Sequence, residues 1–383
     1  MNSFQPTRLV EELFRHSKRP TSFPAGEVIS LASGDPDFET PQHIQQALFD
    51  AIRSGATHYA QPLGDPELRD VLAEDLSRRS AGNYESEQVV ITHGASAALA
   101  AVILACVNPG DKVVIPQPTY SLYADQVRMA GGHPEFVPLD ERFHPHLDQL
   151  ERAMKGARML ALCNPSNPTG AVYGHDEMAL IARMAVENGV LVLADEAYDH
   201  IVYEGAEHSS ALDFPELGDL LIYCQTFSKT HAMTGWRIGY LAAPSEVARA
   251  AGRVHFALMG PLNTAVQRAA LAAATVQSDH PARMLDEYRK RRDFVVGELS
   301  KVEGVDLHPP EGTFYAFLKY SQKISSLEMT QKLLGAGVGV RAGAEFGDGG
   351  EGHLRLSFTQ DQKTLVEGLR RLKEVLTALD IAF

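Results

Sequence analysis

The chain has 383 residues, 44% of them hydrophobic and 22% charged, which suits about two domains around a large core and excludes a disordered chain. Its 35 Lys and Arg against 49 Asp and Glu leave a net charge of −14, which argues against a nucleic acid or an anionic membrane as partner; an anionic ligand must be held by local groups. No apolar run is long enough to cross a bilayer, residues 1–6 lack the charged and apolar regions of a secretory signal, and Cys106, Cys163 and Cys224 sit in apolar runs as free thiols do, so a cytoplasmic address is expected.

Short apolar or β-branched runs at 88–92, 112–115, 134–137, 159–163, 190–194, 220–226 and 239–242 alternate with amphipathic stretches. This pattern predicts an α/β fold whose mostly parallel sheet is covered on both faces. Asn108-Pro109-Gly110-Asp111, Asn164-Pro165, Asn167-Pro168-Thr169-Gly170 and Asn188-Gly189 punctuate it as turns. In such a sheet a ligand sits at the carboxyl ends of the strands. Beyond residue 280, a charged helix opening at 287–293, a strand at 312–317 and a last helix from about 361 suggest a smaller α+β layer. The Arg/Lys run of that helix reads as a solvated face, and Gly335 to Gly339, despite an echo of a dinucleotide loop, reads as a turn into a strand.

The chemistry gathers around Lys229, in a segment poor in other charges, with Arg237 eight residues on and Thr226 and Ser228 just before it. An amine beside hydroxyls and a guanidinium is the arrangement needed to form an imine next to a bound phosphate, as at a pyridoxal 5'-phosphate site. A pyridine ring acting as an electron sink needs its nitrogen kept protonated by a desolvated carboxylate, and Asp195 closes the apolar run 190–194. Tyr198, three residues on, suits the ring's hydroxyl, although an Asp-Glu pair after a strand also suits a helix N-cap. Gly94, Ala95 and Ser96, between a strand and an Ala-rich helix, can present amides to an anion, or merely form a tight turn. Asn167, fixed between prolines, is a second candidate donor to the ring oxygen. His231 and the His144-Pro145-His146 loop are set aside: the base is Lys229 already, and no ligand cluster accompanies the loop.

Nine motifs occur in order: LASGDPDFETP (31–41), HYAQPLGDPELR (58–69), THGASAAL (92–99), PTYSLY (118–123), NPSNPTG (164–170), DEAY (195–198), SKTHAMTGWRIGY (228–240), PPEGTFYAF (309–317) and HLRLSF (353–358). From about Leu31 to Phe358 the chain resembles the class I/II aminotransferases of pyridoxal-phosphate fold type I, in the bacterial aspartate aminotransferase-like branch. The resemblance implies a large domain with a seven-stranded sheet between helices and a small α+β domain. It divides the chain into 1–45, an N-terminal arm with part of the small domain; 46–280, the cofactor-binding domain; and 281–383, the small domain. It implies Lys229 as imine lysine and proton shuttle, Asp195 on the ring nitrogen, and Tyr198 and Asn167 on the ring oxygen. Arg237, Ser228, Thr226 and the Gly94-Ala95-Ser96 turn fall to the phosphate, and Tyr120 stacks on the ring. Arg355 clamps the substrate α-carboxylate, with Gly34 adding a backbone contact. Tyr59 would reach the phosphate of a second subunit, so a homodimer with shared sites is expected.

The implied reaction is ping-pong transfer of an amino group from an L-amino acid to a 2-oxo acid. Dicarboxylate-specific relatives carry a basic residue either in the segment here numbered 254–261 or in the turn holding Gly94, Ala95 and Ser96, and both are uncharged at those places. A neutral or moderately hydrophobic amino acid is therefore expected, with aspartate as the alternative. Elimination at sulfur amino acids, or ring closure of the synthase type, would keep the same cofactor. A cofactor-sensing regulator is disfavoured by the acidic charge.

Overall fold

The computed structural model describes residues 5–16, 18, 28–80 and 82–380. The expectations for the extreme N-terminus and for the arm therefore fall partly outside the described residues, at 1–4, 17 and 19–27. Among the described residues no helix is long and apolar enough to cross a membrane.

Seven strands form one sheet in the order Val89–Thr92, Gly239–Ala242, Leu221–Thr226, Leu191–Asp195, Met159–Cys163, Lys112–Gln117 and His133–Pro138. All neighbours run parallel except Gly239–Ala242, which is antiparallel to both of its partners. Successive side chains of the central strands alternate between two buried cores: Leu160, Leu162, Val192, Ala194 and Tyr223 face one, and Ala161, Cys163, Leu193, Ile222 and Cys224 the other. Burial on both faces is why these strands read as unbroken apolar runs. On the second face, Ala98, Leu99, Val102 and Cys106 of the helix Ala95–Cys106 and Ala248 and Ala251 of the helix Ser245–Met259 complete the layer. The three thiols are free and buried.

A separate antiparallel sheet orders Arg341–Ala342, His353–Ser357, Tyr315–Tyr320 and Val305–Asp306. The last helix, Gln362–Asp380, closes its core with Leu365, Leu369, Leu372 and Leu376, spaced as one helix face. Ile29–Ser30 pairs with Val338–Gly339, tying the N-terminal segment to this part. The Gly335 to Gly339 stretch is a helix end turning into that short strand, as its sequence implies.

The charged helix departs from the sequence reading in two ways. It begins at His280, with Pro281 in its first turn, so residues 287–293 lie in its middle. Nor is its basic run wholly solvated. Arg291 is buried, donating to both carboxylate oxygens of Asp37 at 2.8 and 3.0 Å, to the Thr359 carbonyl at 2.7 Å and to Glu287 at 3.2 Å. Paired on every side, its charge tolerates burial and fastens the 31–41 motif to the C-terminal part.

Candidate functional site

The strand Leu221–Thr226 gives way to a single helical turn, Phe227–Thr230, because the Thr226 hydroxyl accepts from the Ser228 amide at 3.1 Å. That turn aims Lys229 into a cavity of about 440 Å³ at the carboxyl ends of the strands. Its Nζ donates to the Gly34 carbonyl at 2.6 Å and lies 5.6 Å from the Phe314 ring centroid. Burial lowers the amine's pKa from 10.5 to about 8; Arg237 and Arg355 push the same way, against Asp35 and Asp195.

Asp195 ends the neighbouring strand, in register with Cys163 and Cys224. Burial raises its pKa, while the Tyr123 hydroxyl, donating at 2.6 Å, the Ala197 amide at 3.3 Å and Lys229 favour its charged form. No α-helix follows, so Asp195 is not an N-cap; the chain turns instead, and this brings Tyr198 to the same cavity. Glu196 points elsewhere, accepting from the Ser210 hydroxyl and the Ala211 amide at 2.7 Å each, with burial pushing its pKa up to about 8.

Opposite them, Gly94 (φ 77°) starts the helix Ala95–Cys106 without a side-chain cap, leaving the first amides of a helix N-terminus open toward the cavity. A Cβ at Gly94 would stand 2.9 Å from Nη2 of Arg237, so only glycine admits the guanidinium this close. Arg237 adopts a left-handed backbone (φ 56°) and donates to the Thr234 carbonyl at 2.7 Å. Thr226 donates to the Ser228 hydroxyl at 2.8 Å. Behind the turn, Nε2 of the buried His255 lies 3.3 Å from the donating His93 amide and 3.1 Å from His93 Nδ1, and burial lowers the pKa of His255 to about 4. A neutral ring accepting from the turn is thus maintained.

Arg355, in His353–Ser357, donates from Nη1 to Asn167 Oδ1 at 2.9 Å and from Nη2 to the Ala32 carbonyl at 2.6 Å. With its oxygen taken by Arg355, the Asn167 amide nitrogen is left to donate. The guanidinium lies 4.1 Å from the Tyr315 centroid and 4.9 Å from that of Phe346. Tyr120 stands with its hydroxyl 3.5 Å from that of Ser96 and its ring edge-on to Tyr123.

The cavity thus brings together Gly34, Ala95, Ser96, Tyr120, Asn167, Asp195, Tyr198, Thr226, Ser228, Lys229, Arg237 and Arg355. Gly94 supports it from behind Arg237. Tyr59 stands apart, 93% exposed, on a loop whose His58 carbonyl accepts from Thr264 at 2.6 Å. His231 does not line the cavity, and His144 sits against Glu177 at 3.0 Å.

Sequence reasoning missed Tyr123, Tyr315 and the buried Arg341–Glu345 ion pair. Tyr123 had a signal, since it closes the PTYSLY motif one helical turn after Tyr120. Arg341 had none: it meets the cavity because its strand pairs Arg341 directly with Arg355.

An amine, a buried carboxylate, an open helix N-terminus and a buried guanidinium around one cavity form the kind of site an enzyme uses to hold a small anionic molecule. Residues 26–372 match the family described as aminotransferase class I and II. The chain is 36% identical over 361 residues to a protein named probable aspartate/prephenate aminotransferase of Aquifex aeolicus (strain VF5), covering 91% of each. It superposes on the aromatic aminotransferase of Pyrococcus horikoshii OT3 with a TM-score of 0.89 at 32% identity, over 97% of this chain and 100% of that one. For the aspartate aminotransferase of Thermus thermophilus solved with maleate the TM-score is 0.85 at 33% identity, over 97% of each chain. The chain belongs to the class I and II aminotransferase family, with its α/β fold, and is a transferase of amino groups.

Proposed function

We propose that the cavity holds pyridoxal 5'-phosphate on Lys229 and transfers the amino group of a neutral or moderately hydrophobic L-amino acid to a 2-oxo acid. The observation that carries this reading is the convergence of Lys229, Asp195 and Arg355, from three distant segments, on one cavity. The donor set fits the cofactor: a cradle that a Cβ at Gly94 would fill, hydroxyls at Thr226 and Ser228, and a desolvated carboxylate at Asp195. Bound there, the cofactor supplies an electron sink for the pair left when a proton leaves the substrate Cα.

The chain's own groups do the rest. Arg237, Thr226, Ser228 and the amides of Ala95 and Ser96 bind the phosphate. Asp195 would hold the proton at the ring nitrogen, Tyr198 and Asn167 would donate to the ring oxygen, and Tyr120 would pack on the ring. Arg355 grips the α-carboxylate through its planar fork and so turns the Cα–H bond toward Lys229, beside Gly34. Burial holds the Lys229 amine at about 8, below its ordinary value, so its neutral form, a minor fraction at pH 7 that grows with pH, would be the one to take that proton.

The preference for a neutral side chain rests on the uncharged Ala95 and Ser96 and on the apolar helix end where Leu258 and Met259 are 56% and 53% exposed. Aspartate is a second reading, favoured by the names of the relatives and by Arg341 in the cavity wall. The same proposal includes a homodimer in which Tyr59 serves a second copy's site. It also includes the division into 1–45, 46–280 and 281–383, supported by the separate four-stranded sheet of the C-terminal part, and a cytoplasmic place, supported by three unpaired thiols. The test is a single half-reaction: the purified holoenzyme is mixed with a panel of amino acids and the visible cofactor spectrum is followed. Alanine, leucine, methionine or phenylalanine should be consumed at least as fast as aspartate; aspartate far ahead of all of them selects the second reading.

A further inference from the structure

Tyr315 occupies a position in the site that none of the roles above uses. Its hydroxyl lies 3.2 Å from that of Tyr198, and both phenols are buried. Burial raises the pKa of each, so both are neutral and each carries a single proton to give. The phenol reaches this place only because residue 34 is glycine: a Cβ there would stand 1.8 Å from the Tyr315 oxygen. The face of the same ring carries the Arg355 guanidinium at 4.1 Å, and the Gly34 carbonyl beside it accepts from Lys229. Tyr315 therefore touches the wall of the site at three of its working parts.

Resting on the proposed function, we infer that Tyr315 is a positioning residue that donates its hydroxyl proton to Tyr198 and so sets the acidity of the bond between Lys229 and the cofactor. The reasoning is a count of protons. If Tyr198 gives its only proton to the cofactor's ring oxygen, the proton in the contact between the two phenols must come from Tyr315. A donor behind a donor polarises it, so Tyr198 binds an anionic ring oxygen more strongly. That favours the unprotonated form of the Lys229 linkage and lowers its pKa. The charged groups facing Lys229 are Asp35, Asp195, Arg237 and Arg355, and the phenols face the charged Arg355 and the titratable Cys163 and Tyr120; Tyr315→Phe leaves all of them in place.

The test titrates the visible absorbance of the holoenzyme against pH for wild type, Tyr315→Phe, Tyr198→Phe and the double variant, with KM for the preferred amino acid as a second readout. Tyr315→Phe should raise the pKa of the linkage by about half a unit, a fraction of one hydrogen bond's worth. The double variant should move no further than Tyr198→Phe alone, and KM should change by less than about twofold because the ring under Arg355 is kept. A wild-type pKa in Tyr315→Phe, or additive shifts in the double variant, overturns the inference and leaves the cofactor reading intact. A wild type with no visible band, or a pH-dependent transition of that band that survives unchanged in Lys229→Ala, overturns the reading of Lys229 as the cofactor's lysine and this inference with it.

Discussion

Lys229→Met in the apoprotein separates the electrostatic cost of the buried amine from its chemistry. Burial takes the pKa of Lys229 from 10.5 to about 8. At about 1.36 kcal/mol per unit, that gap costs the folded state about 3 kcal/mol wherever the amine is charged in both states. The sign follows from proton counts: between about pH 8 and 10.5 the unfolded chain binds more protons than the folded one, so wild-type stability rises with pH across that window. Methionine keeps the stem and has no charge, so its contribution is flat. It also loses the 2.6 Å bond to the Gly34 carbonyl, about 1.5–3 kcal/mol, which offsets much of the gain at pH 7. The variant should therefore match or slightly exceed wild type at pH 7 and lose about 2 kcal/mol relative to it between pH 7 and 9.5, ending below it, read from urea-denaturation midpoints at fixed protein concentration. A difference between the two proteins that stays constant from pH 7 to 9.5 refutes a depressed Lys229. So does a difference that grows in the opposite direction.

Gly94→Ala should weaken cofactor binding by about tenfold, because a left-handed φ of 77° and a Cβ 2.9 Å from Arg237 Nη2 together cost on the order of 1–2 kcal/mol. Fluorescence titration of the apoprotein with the cofactor reads it, and an affinity within twofold of wild type would contradict the cradle. Arg341→Met strands the carboxylate of Glu345 inside the protein and should cost about 3–5 kcal/mol, most of it recovered when Glu345→Leu is added. Additive losses in the double variant, measured by denaturation, would show that the two residues are not a pair.

The sequence discloses this molecule unevenly, and the unevenness has a physical cause. All seven strands of the large sheet are legible, with ends shifted by a residue or two: six because a strand buried on both faces is apolar nearly throughout, and the edge strand His133–Pro138 because its buried Pro134 and Val137 stand in a short run between turns. Lys229, Asp195, Asn167 and Arg237 are legible for a similar reason: each is aimed by its own segment, through a one-turn helix, a strand end, a proline-fixed turn and a left-handed residue. Tyr315 and Arg341 belong to another kind. What places them is pairing at long range, Tyr315 by standing opposite Ser357 in a strand that carries it to Tyr198, and Arg341 by standing opposite Arg355. No local composition reports such a register.

Arg291 makes the same point from the other side. Within 287–293 it is one basic residue among several, and a solvated face is the simplest account of them. Asp37, 254 residues earlier, accepts from its Nη1 and Nη2 and turns it into a buried anchor between the 31–41 motif and the C-terminal part. Gly34, three residues before Asp37, is where Lys229 and Tyr315 meet. An ion pair far from the chemistry thus fixes the segment on which the amine rests. Short motifs specify which groups react, and long-range pairs specify how closely and at what acidity they are held, so the second kind of residue is found by asking what each motif leans on.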